Sequence, residues 1–378
     1  MLNAGRFMPR SPSPSPAPSA RSAIPRRAFL GGAAAGALAL AGGGRSARGD
    51  GADPSRPGAV SSGSTRQVVR LSVPGKIVKV TSANTLQPNG LWPTGDAARR
   101  MFERAMLELT GAADLGAAFG QILHKEDRVA IKPNGIAGRI GGTMASNKEL
   151  VAEVVRGVLA AGVPAENIVV YEQFPTFLAG TRVVDAKGEL DPAFPAGLRT
   201  TFHDNKDATE DVLRVMGILT RYVRPLTEAT AVINVSLIKD HSICGYTGCL
   251  KNITHGSIIN PGAFHDHLAS PQIAELYAQS TVKSRVVLHV VDAFKLIYEG
   301  GPLDRNPERR IPHEALYVGT DPVALDAVGW AEVDRVRRDK GLPSLKSAGR
   351  EPSYIRIAAE LGLGVFDLDR IHVREVRL

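Results

Sequence analysis

Residues 231–256 read AVINVSLIKDHSICGYTGCLKNITHG, and the character of the chain changes within this stretch. Its beginning, Ala231–Val235, is short, apolar and rich in β-branched residues, which predicts a buried strand. Polar and reactive side chains then follow at Lys239, His241, Thr247, Lys251 and Asn252. In open α/β sheets, ligands bind at the carboxyl ends of strands, where these side chains would lie. The stretch is therefore the candidate active site.

Two earlier apolar runs also end in residues with distinctive chemistry. The run 128–132 stops at Lys132, because Pro133 cannot continue a strand ladder. The run 167–171 is followed directly by Glu172. We predict that both runs are buried strands with these two charged residues at their carboxyl ends.

Helical patterns lie between and after the predicted strands. Residues 148–161, with Asn147 as the expected cap, separate the first two strands, which is the βαβ pattern of parallel strands. Later, residues 285–291 predict a strand that ends at Asp292, and Asp321 is placed to cap another helix. We therefore predict an α/β fold, a layered sheet with several parallel βαβ units and flanking helices, partly mixed.

The beginning of the chain differs in composition from the rest. Residues 11–18 alternate Ser and Pro, which cannot bury a core and predicts disorder. The pair Arg26-Arg27 then precedes Phe29-Leu30 and a weakly apolar Ala/Gly/Leu run with a small-residue cleavage site, which resembles a twin-arginine export signal. The predicted organisation is a signal segment over 1–44, a linker over 45–66 and a single α/β domain over 67–378. The protein is expected to use the twin-arginine machinery and to lie in the periplasm or another extracytoplasmic compartment.

The formal charge of +8 does not predict binding to nucleic acid. Residues 1–50 hold seven arginines and one aspartate, so 39 basic and 37 acidic residues remain in the rest of the chain. The predicted domain is thus nearly neutral, and aromatic residues for base stacking make up only 5% of the chain. We expect no nucleic-acid partner.

The candidate site combines lysine, histidine, amide and carboxylate side chains. Several cations with amide and hydroxyl groups suit a small anionic substrate such as a carboxylate or a phosphate. Histidine titrates near neutral pH, so His241 is the expected proton carrier. Carboxylates at strand ends are suited to acid–base catalysis or to metal binding. The predicted catalytic residues are Lys132, Glu172, His241 and Lys251, and the predicted substrate-binding residues are Asn134, Lys239, Thr247, Asn252 and Asp292.

Two local expectations concern the surroundings of these residues. A helix that begins near Thr247 would add its N-terminal amides to an anion site. Adjacent strand residues face opposite ways, so Asp240, beside His241, is expected at the surface. The chain contains no G-x-S-x-G elbow, P-loop or H-E-x-x-H motif, which argues against a hydrolase with an ordinary nucleophile elbow.

A cluster of histidines and cysteines leaves two interpretations open. His241, His255, His265 and His267 lie close in sequence to Cys244 and Cys249, and imidazole and thiolate suit a divalent metal. His265 and His267 are the candidate metal ligands, but a spacing of two residues chelates only on a strand. The alternative is that these are hydrogen-bonding loop histidines. The two cysteines would likewise be either a disulfide or, as we expect, two buried thiols.

The ordered set of motifs resembles a family known as domain of unknown function 362. The resemblance covers roughly residues 67–378 and rests on Lys132-Pro133-Asn134, Ala161-Gly162-Val163, Glu172, Ile233-Asn234-Val235, Lys239, His241, Thr247, Lys251-Asn252, Asp292-Ala293, Gly301-Pro302, Asp321 to Asp326 and Gly362-Leu363-Gly364. It implies an α/β domain that is sometimes fused to iron–sulphur ferredoxin modules. A cluster needs about four thiolates and this chain has two cysteines, so we expect no iron–sulphur cluster ligated by this chain alone.

Two functional hypotheses follow. The first is an exported α/β enzyme or ligand-binding protein that acts on a small anionic substrate, with or without a metal. The second is a non-catalytic cofactor-binding or redox-accessory protein that works with an iron–sulphur partner protein.

Overall fold

One large sheet organises the computed structural model, which describes residues 69–139 and 142–378. The predicted signal segment and linker lie outside the described residues. The strands are β1 (Lys76–Thr81), β2 (Val129–Lys132), β3 (Ile168–Glu172), β4 (Arg199–Phe202), β5 (Leu213–Val215), β6 (Ile218–Thr220), β7 (Ala231–His241), β8 (Gly245–Thr247), β9 (Val286–Ile297), β10 (Arg310–Gly319) and β11 (His372–Arg377). The helices are α1 (Gly95–Thr110), α2 (Leu115–Gly120), α3 (Lys148–Ala160), α4 (Pro175–Gly180), α5 (Arg224–Thr227), α6 (Cys249–His255), α7 (Ser270–Ala278), α8 (Ser280–Lys283), α9 (Pro322–Asp339) and α10 (Tyr354–Glu360).

The strand order is β11-β1-β10-β9-β7-β2-β3-β4, with β8 added to β7. Neighbouring strands from β9 through β7, β2 and β3 to β4 are all parallel, whereas β10 is antiparallel to both β9 and β1. Strands β5 and β6 form a separate two-stranded sheet. The predicted layered and partly mixed α/β fold is therefore confirmed.

Helices cover both faces of the sheet and form two apolar cores. Helices α1, α2 and α3 pack on one face together with Ile233 and Val235 of β7. Helices α6, α7, α9 and α10 pack on the other face, together with Val232. Each large apolar side chain that is fully buried in this way stabilises the fold by about 1.5–3 kcal/mol. Burial on both faces explains why Ala231–Val235, the first part of β7, is a nearly continuous apolar run instead of an alternating one.

The parallel register brings the ends of three strands to one edge. Lys132, the last residue of β2, lies opposite Asn234 of β7. Glu172 ends β3, and β7 continues beyond that edge to His241. Beyond His241 the chain turns back as β8, in which Thr247 pairs with Lys239. These strand ends form one side of the site described below.

Several sequence-based expectations need correction. Thr247 lies in β8, and the following helix α6 begins two residues later at Cys249. Strand β9 does not end at Asp292 but runs on to Ile297, because β10 continues the antiparallel ladder along it. Asn147 occupies the capping position of α3, yet its side chain bonds Asp292 instead of the helix. Asp321 does cap α9, as predicted.

Asp240 is buried and not at the surface, because its carboxylate forms an ion pair of 2.7 Å with Arg350 and accepts from the amide of Gly301. Among the described residues, no helix is both long and apolar enough to cross a membrane.

Candidate functional site

A cavity of about 380 Å³ opens at the carboxyl edge of β2, β3 and β7. The four predicted catalytic residues, Lys132, Glu172, His241 and Lys251, all line this cavity. The predicted binding residues Asn134, Lys239, Thr247 and Asn252 line it as well. The chain therefore brings together side chains that are up to 120 residues apart in sequence.

A buried ion pair forms one wall of the cavity. The Nζ of Lys132 lies 2.9 Å from Oε1 of Glu172, and both side chains are almost fully buried. The carboxylate of Glu172 also accepts from the amides of Gly135 and Gln173, at 2.7 Å each. Such a complete set of partners is what a buried ion pair requires. Glu172 is therefore fully occupied by the protein and neutralises Lys132.

Lys239 is a second buried cation, and it has a different environment. Its side chain has no exposed surface, and its Nζ donates a hydrogen bond of 2.8 Å to Oδ1 of Asn134. Among the described residues no carboxylate lies within ion-pair distance of it. Burial lowers the pKa of Lys239 to about 7, and the nearby charge of Lys251 adds to this effect.

Lys239 begins a continuous series of hydrogen bonds, which we call the amide chain. Each member donates to the next in one direction, and the distances between donor and acceptor run from 2.7 to 3.2 Å. The members, in order, are Lys239, Asn134, Asn252, Asn234, His289 and Tyr277. Burial lowers the pKa of His289 to about 3, so the ring is neutral and can accept at Nδ1 while it donates at Nε2. The amide chain ties the loop after β2 to α6, β7, β9 and α7, and its first three members line the cavity.

Lys251 is the third cation, and a histidine holds it in place. Its Nζ lies 3.3 Å from Nε2 of His265. The Nδ1 of His265 lies 2.8 Å from the carbonyl oxygen of Pro261, which can only accept, so Nδ1 carries the ring proton. The Nε2 of the neutral ring is thus the acceptor that faces Lys251. Burial and the charge of Lys251 lower the pKa of His265, which favours this neutral form.

His241 has the opposite tautomer. Its Nδ1 accepts from the backbone amides of Ile243 and Cys244, at 3.1 and 3.4 Å. In a neutral ring the proton is then on Nε2, for which no other described residue provides a hydrogen-bond partner. Burial lowers the pKa of His241, and the charge of Lys251 lowers it further. The geometry therefore suits donation of a hydrogen bond to a ligand better than the role of proton carrier that the sequence suggested.

Thr247 offers an unused hydrogen-bonding group. The residue is 4% exposed and lines the cavity, and its Oγ1 has no partner among the described residues. The amides at the start of α6, in contrast, are not available to a ligand as was expected. The carboxylate of Asp326 accepts from the amides of both Cys249 and Leu250. Asp326 thus caps α6 and fixes the position of its cavity-lining residues.

An apolar wall, which sequence reasoning missed, completes the cavity. Ile136, Phe174, Phe177 and Ile243 line it, and the rings of Phe174 and Phe177 meet edge to face at 5.1 Å. The two phenylalanines follow Glu172 closely in sequence, so their nearness to a strand end was the available signal. His255 also lines the cavity and packs against the ring of His265 at 4.9 Å.

The remaining predicted site residues lie elsewhere. Asp292 does not line the cavity, because its buried carboxylate binds the backbone amide and the side chain of Asn147. Burial raises the pKa of Asp292 to about 6. His267 is exposed, outside the cavity, on a segment with left-handed backbone angles. Cys244 and Cys249 are buried free thiols.

The predicted metal pair does not fit this geometry. The Nε2 of His265 accepts from Lys251, so a metal ion at that nitrogen would lie against an ammonium group. Within residues 69–139 and 142–378 there is no group of three His, Cys, Asp or Glu side chains that could hold one metal ion. We therefore assign no metal ligands.

The fold and the site together define an α/β protein with a cationic cavity at the carboxyl edge of a largely parallel sheet. The chain belongs to the DUF362 family, since the family model described as Domain of unknown function (DUF362) matches residues 129–331, more than half of the chain. The match covers the strands and helices that carry every lysine, histidine and asparagine of the cavity. No curated protein matches the chain.

Proposed function

We propose that the protein binds a small organic anion in the cavity and acts on it there. The proposal rests on one observation. Three lysines line a single cavity, and the one carboxylate that the described residues contribute to it, Glu172, is already paired with Lys132. Lys239 and Lys251 have no carboxylate partner among the described residues, and buried charges are normally paired. An anionic ligand would supply the missing counter-charge.

The groups around these lysines support an oxyanion. Thr247 has a buried hydroxyl without a partner, and the inferred tautomer of His241 leaves an N–H free to donate. Carboxylates and phosphates accept several hydrogen bonds at once, so they match such a set of donors. The amide chain fixes Lys239 and Asn252 in position before any ligand arrives, which lowers the cost of binding.

The apolar wall supports an organic ligand instead of an inorganic ion. Ile136, Phe174 and Phe177 offer hydrocarbon surface in the same cavity as the cationic groups. Ligand sites are commonly apolar with a few convergent polar groups, and apolar contact adds affinity only for a ligand with a carbon skeleton. We therefore favour a small carboxylate with a short aliphatic or aromatic part.

Anion binding can be measured directly. Full-length protein is titrated with acetate, pyruvate, oxalate, benzoate and phosphate at constant ionic strength, by calorimetry and by thermal shift. We expect saturable binding of the organic carboxylates to the wild type and at least a tenfold weaker affinity in Lys239→Met. The control Lys346→Met removes a lysine whose side chain is 71% exposed and should bind as the wild type does. Absence of saturable binding by every anion would overturn the proposal.

We also propose that this function is carried out after export. The proposal is supported by the sequence Arg26-Arg27 with Phe29-Leu30 and the apolar run that follows. A twin-arginine route carries proteins that have already folded, so the site would be assembled before the protein leaves the cytoplasm.

A further inference from the structure

We propose that Lys251 is a nucleophilic amine that forms an imine with the carbonyl group of a small oxo acid, and that His265 is its base. The inference rests on the proposed function, because it names the substrate class of the same cavity. It goes further in assigning a covalent step to a particular atom, Nζ of Lys251.

The arrangement around Lys251 has the three parts of an activated nucleophile. The nucleophile Nζ lies 3.3 Å from Nε2 of His265, which is within reach of proton transfer once a ligand tightens the site. The base is in turn oriented by a third group, the carbonyl oxygen of Pro261 at 2.8 Å from Nδ1. This is the pattern of nucleophile, base and orienting group that recurs in covalent catalysis.

The three lysines of the cavity are not equivalent, and only Lys251 is suited to this role. Lys132 is held by Glu172 and by the carbonyl oxygen of Pro133. Lys239 has no exposed surface and is the first donor of the amide chain. Lys251 is 7% exposed, lines the cavity, and has His265 as its one side-chain partner among the described residues. Its amine can therefore meet a ligand.

The remaining donors match the rest of an oxo acid. Lys239 and Thr247 are paired across β7 and β8, so the charge of the buried ammonium group and the hydroxyl without a partner lie in the same part of the cavity wall and would attract the carboxylate. The Nε2 of His241 can donate to the carbonyl oxygen and stabilise the negative charge that develops there. An oxo acid places its carboxylate and its carbonyl group close together, so both can meet donors that line one cavity.

The step balances without an oxidant or a second reactant. Lys251 passes a proton to Nε2 of His265, and the free amine attacks the carbonyl carbon. A carbon–nitrogen bond forms while the carbonyl π electrons move to oxygen, which is protonated to give a carbinolamine. Loss of water then breaks the carbon–oxygen bond and leaves a protonated imine. The two protons that nitrogen gives up leave with the oxygen as water, and His265 ends in its starting form.

Reductive trapping tests the inference. Full-length protein is incubated with pyruvate or glyoxylate and sodium borohydride, and the site of the adduct is found by peptide mass spectrometry. We expect an adduct on Lys251 in the wild type, at least tenfold above that on the exposed Lys346, and its suppression by oxalate. Lys251→Arg keeps the positive charge but should lose the adduct, whereas Lys346→Arg at an exposed lysine should leave the adduct on Lys251 unchanged.

His265→Asn supplies a readout that a structural role would not give. We expect the rate of adduct formation at pH 7 to fall at least tenfold, with oxalate binding within about threefold of the wild type. Binding of the anions without a specific adduct on Lys251 would overturn the imine and leave the proposed function intact. If no anion binds, the proposed function itself fails. An adduct that forms equally fast in His265→Asn would remove the base assignment.

Discussion

Replacing Lys239 by methionine should stabilise the ligand-free protein while it weakens anion binding at least tenfold. The two side chains have similar length and volume, so the change removes the charge without leaving a large cavity. Lys239 is fully buried, and its Nζ bonds only a neutral amide, Asn134. A buried cation in that position favours binding of an anionic ligand but lowers the stability of the fold, and functional residues are often destabilising in this way.

The size of the effect follows from the pKa of Lys239. A fall from the ordinary value of 10.5 to about 7 corresponds to about 5 kcal/mol against the charged form in the folded protein. The substitution also leaves Oδ1 of Asn134 without its donor, which costs about 1–3 kcal/mol. At pH 6 we therefore expect a net gain of about 2 kcal/mol or more. In a domain of this length, which exceeds 250 residues, the gain corresponds to a rise in Tm of roughly 3 °C.

The pH dependence gives this prediction a definite sign. Below pH 7 Lys239 is protonated in both the folded and the unfolded states, so the full cost of the buried charge is present. Between pH 7 and 10.5 the unfolded chain binds more protons at this group, and the stability of the wild type rises with pH relative to the variant. The advantage of Lys239→Met should therefore shrink across this window, pass through zero at about pH 8.5–10 and be reversed near pH 10.5, where only the lost hydrogen bond to Asn134 remains.

The assay is urea unfolding of both proteins at pH 6, 8 and 10, with Lys346→Met as the exposed control. We expect the control to differ from the wild type by less than about 0.5 kcal/mol at each pH. A loss of stability in Lys239→Met at pH 6, or a difference that does not change between pH 6 and 10, would refute the reasoning about the buried charge.

Three further predictions concern other parts of the chain. Gly135→Ala should destabilise the protein by more than about 2 kcal/mol, because the added Cβ would lie 1.9 Å from a backbone carbonyl oxygen of α4. The control Gly120→Ala, at the open end of α2, should be neutral or slightly stabilising, and equal urea midpoints for the two variants would contradict the prediction. Asp326→Asn should lower the free energy of unfolding by about 1–3 kcal/mol and weaken anion binding, because one of the two backbone amides of α6 that Asp326 caps would lose its acceptor. Anion binding equal to that of the wild type by calorimetry would disprove the link between this cap and the cavity. Lysine in place of both Arg26 and Arg27 should leave full-length protein in the cytoplasm on cell fractionation, and normal export would remove the predicted signal.

The convergence of the site could be predicted from the sequence because it depends on a simple geometric rule. Lys132, Glu172 and His241 each follow an apolar run, and the carboxyl ends of parallel strands meet at the same edge. The spacing of residues along one strand is enough to place such side chains. The same rule places Lys239 and Asn252 in the cavity, because both are close in sequence to His241 at that edge.

The contacts that decide what each residue can do could not be predicted in this way. Asp240 is buried because Arg350, 110 residues later, neutralises it. Asn147 turns away from its helix because the carboxylate of Asp292 binds it. Local spacing contains no information about such distant partners. The tautomer of His265 is likewise set by a backbone carbonyl group, whose direction depends on a loop conformation that no residue pattern specifies.

The direction of the amide chain has an electrostatic consequence. In each of its three asparagines the oxygen lies on the side of Lys239 and the nitrogen on the far side, so the three amide dipoles are aligned. Their negative ends point toward the ammonium group, and aligned hydrogen bonds polarise one another. The protein thereby supports a buried positive charge with neutral groups. A carboxylate in the same place would neutralise the lysine and repel an incoming anion, whereas a row of amides leaves the ammonium group without a counter-charge until the ligand supplies one.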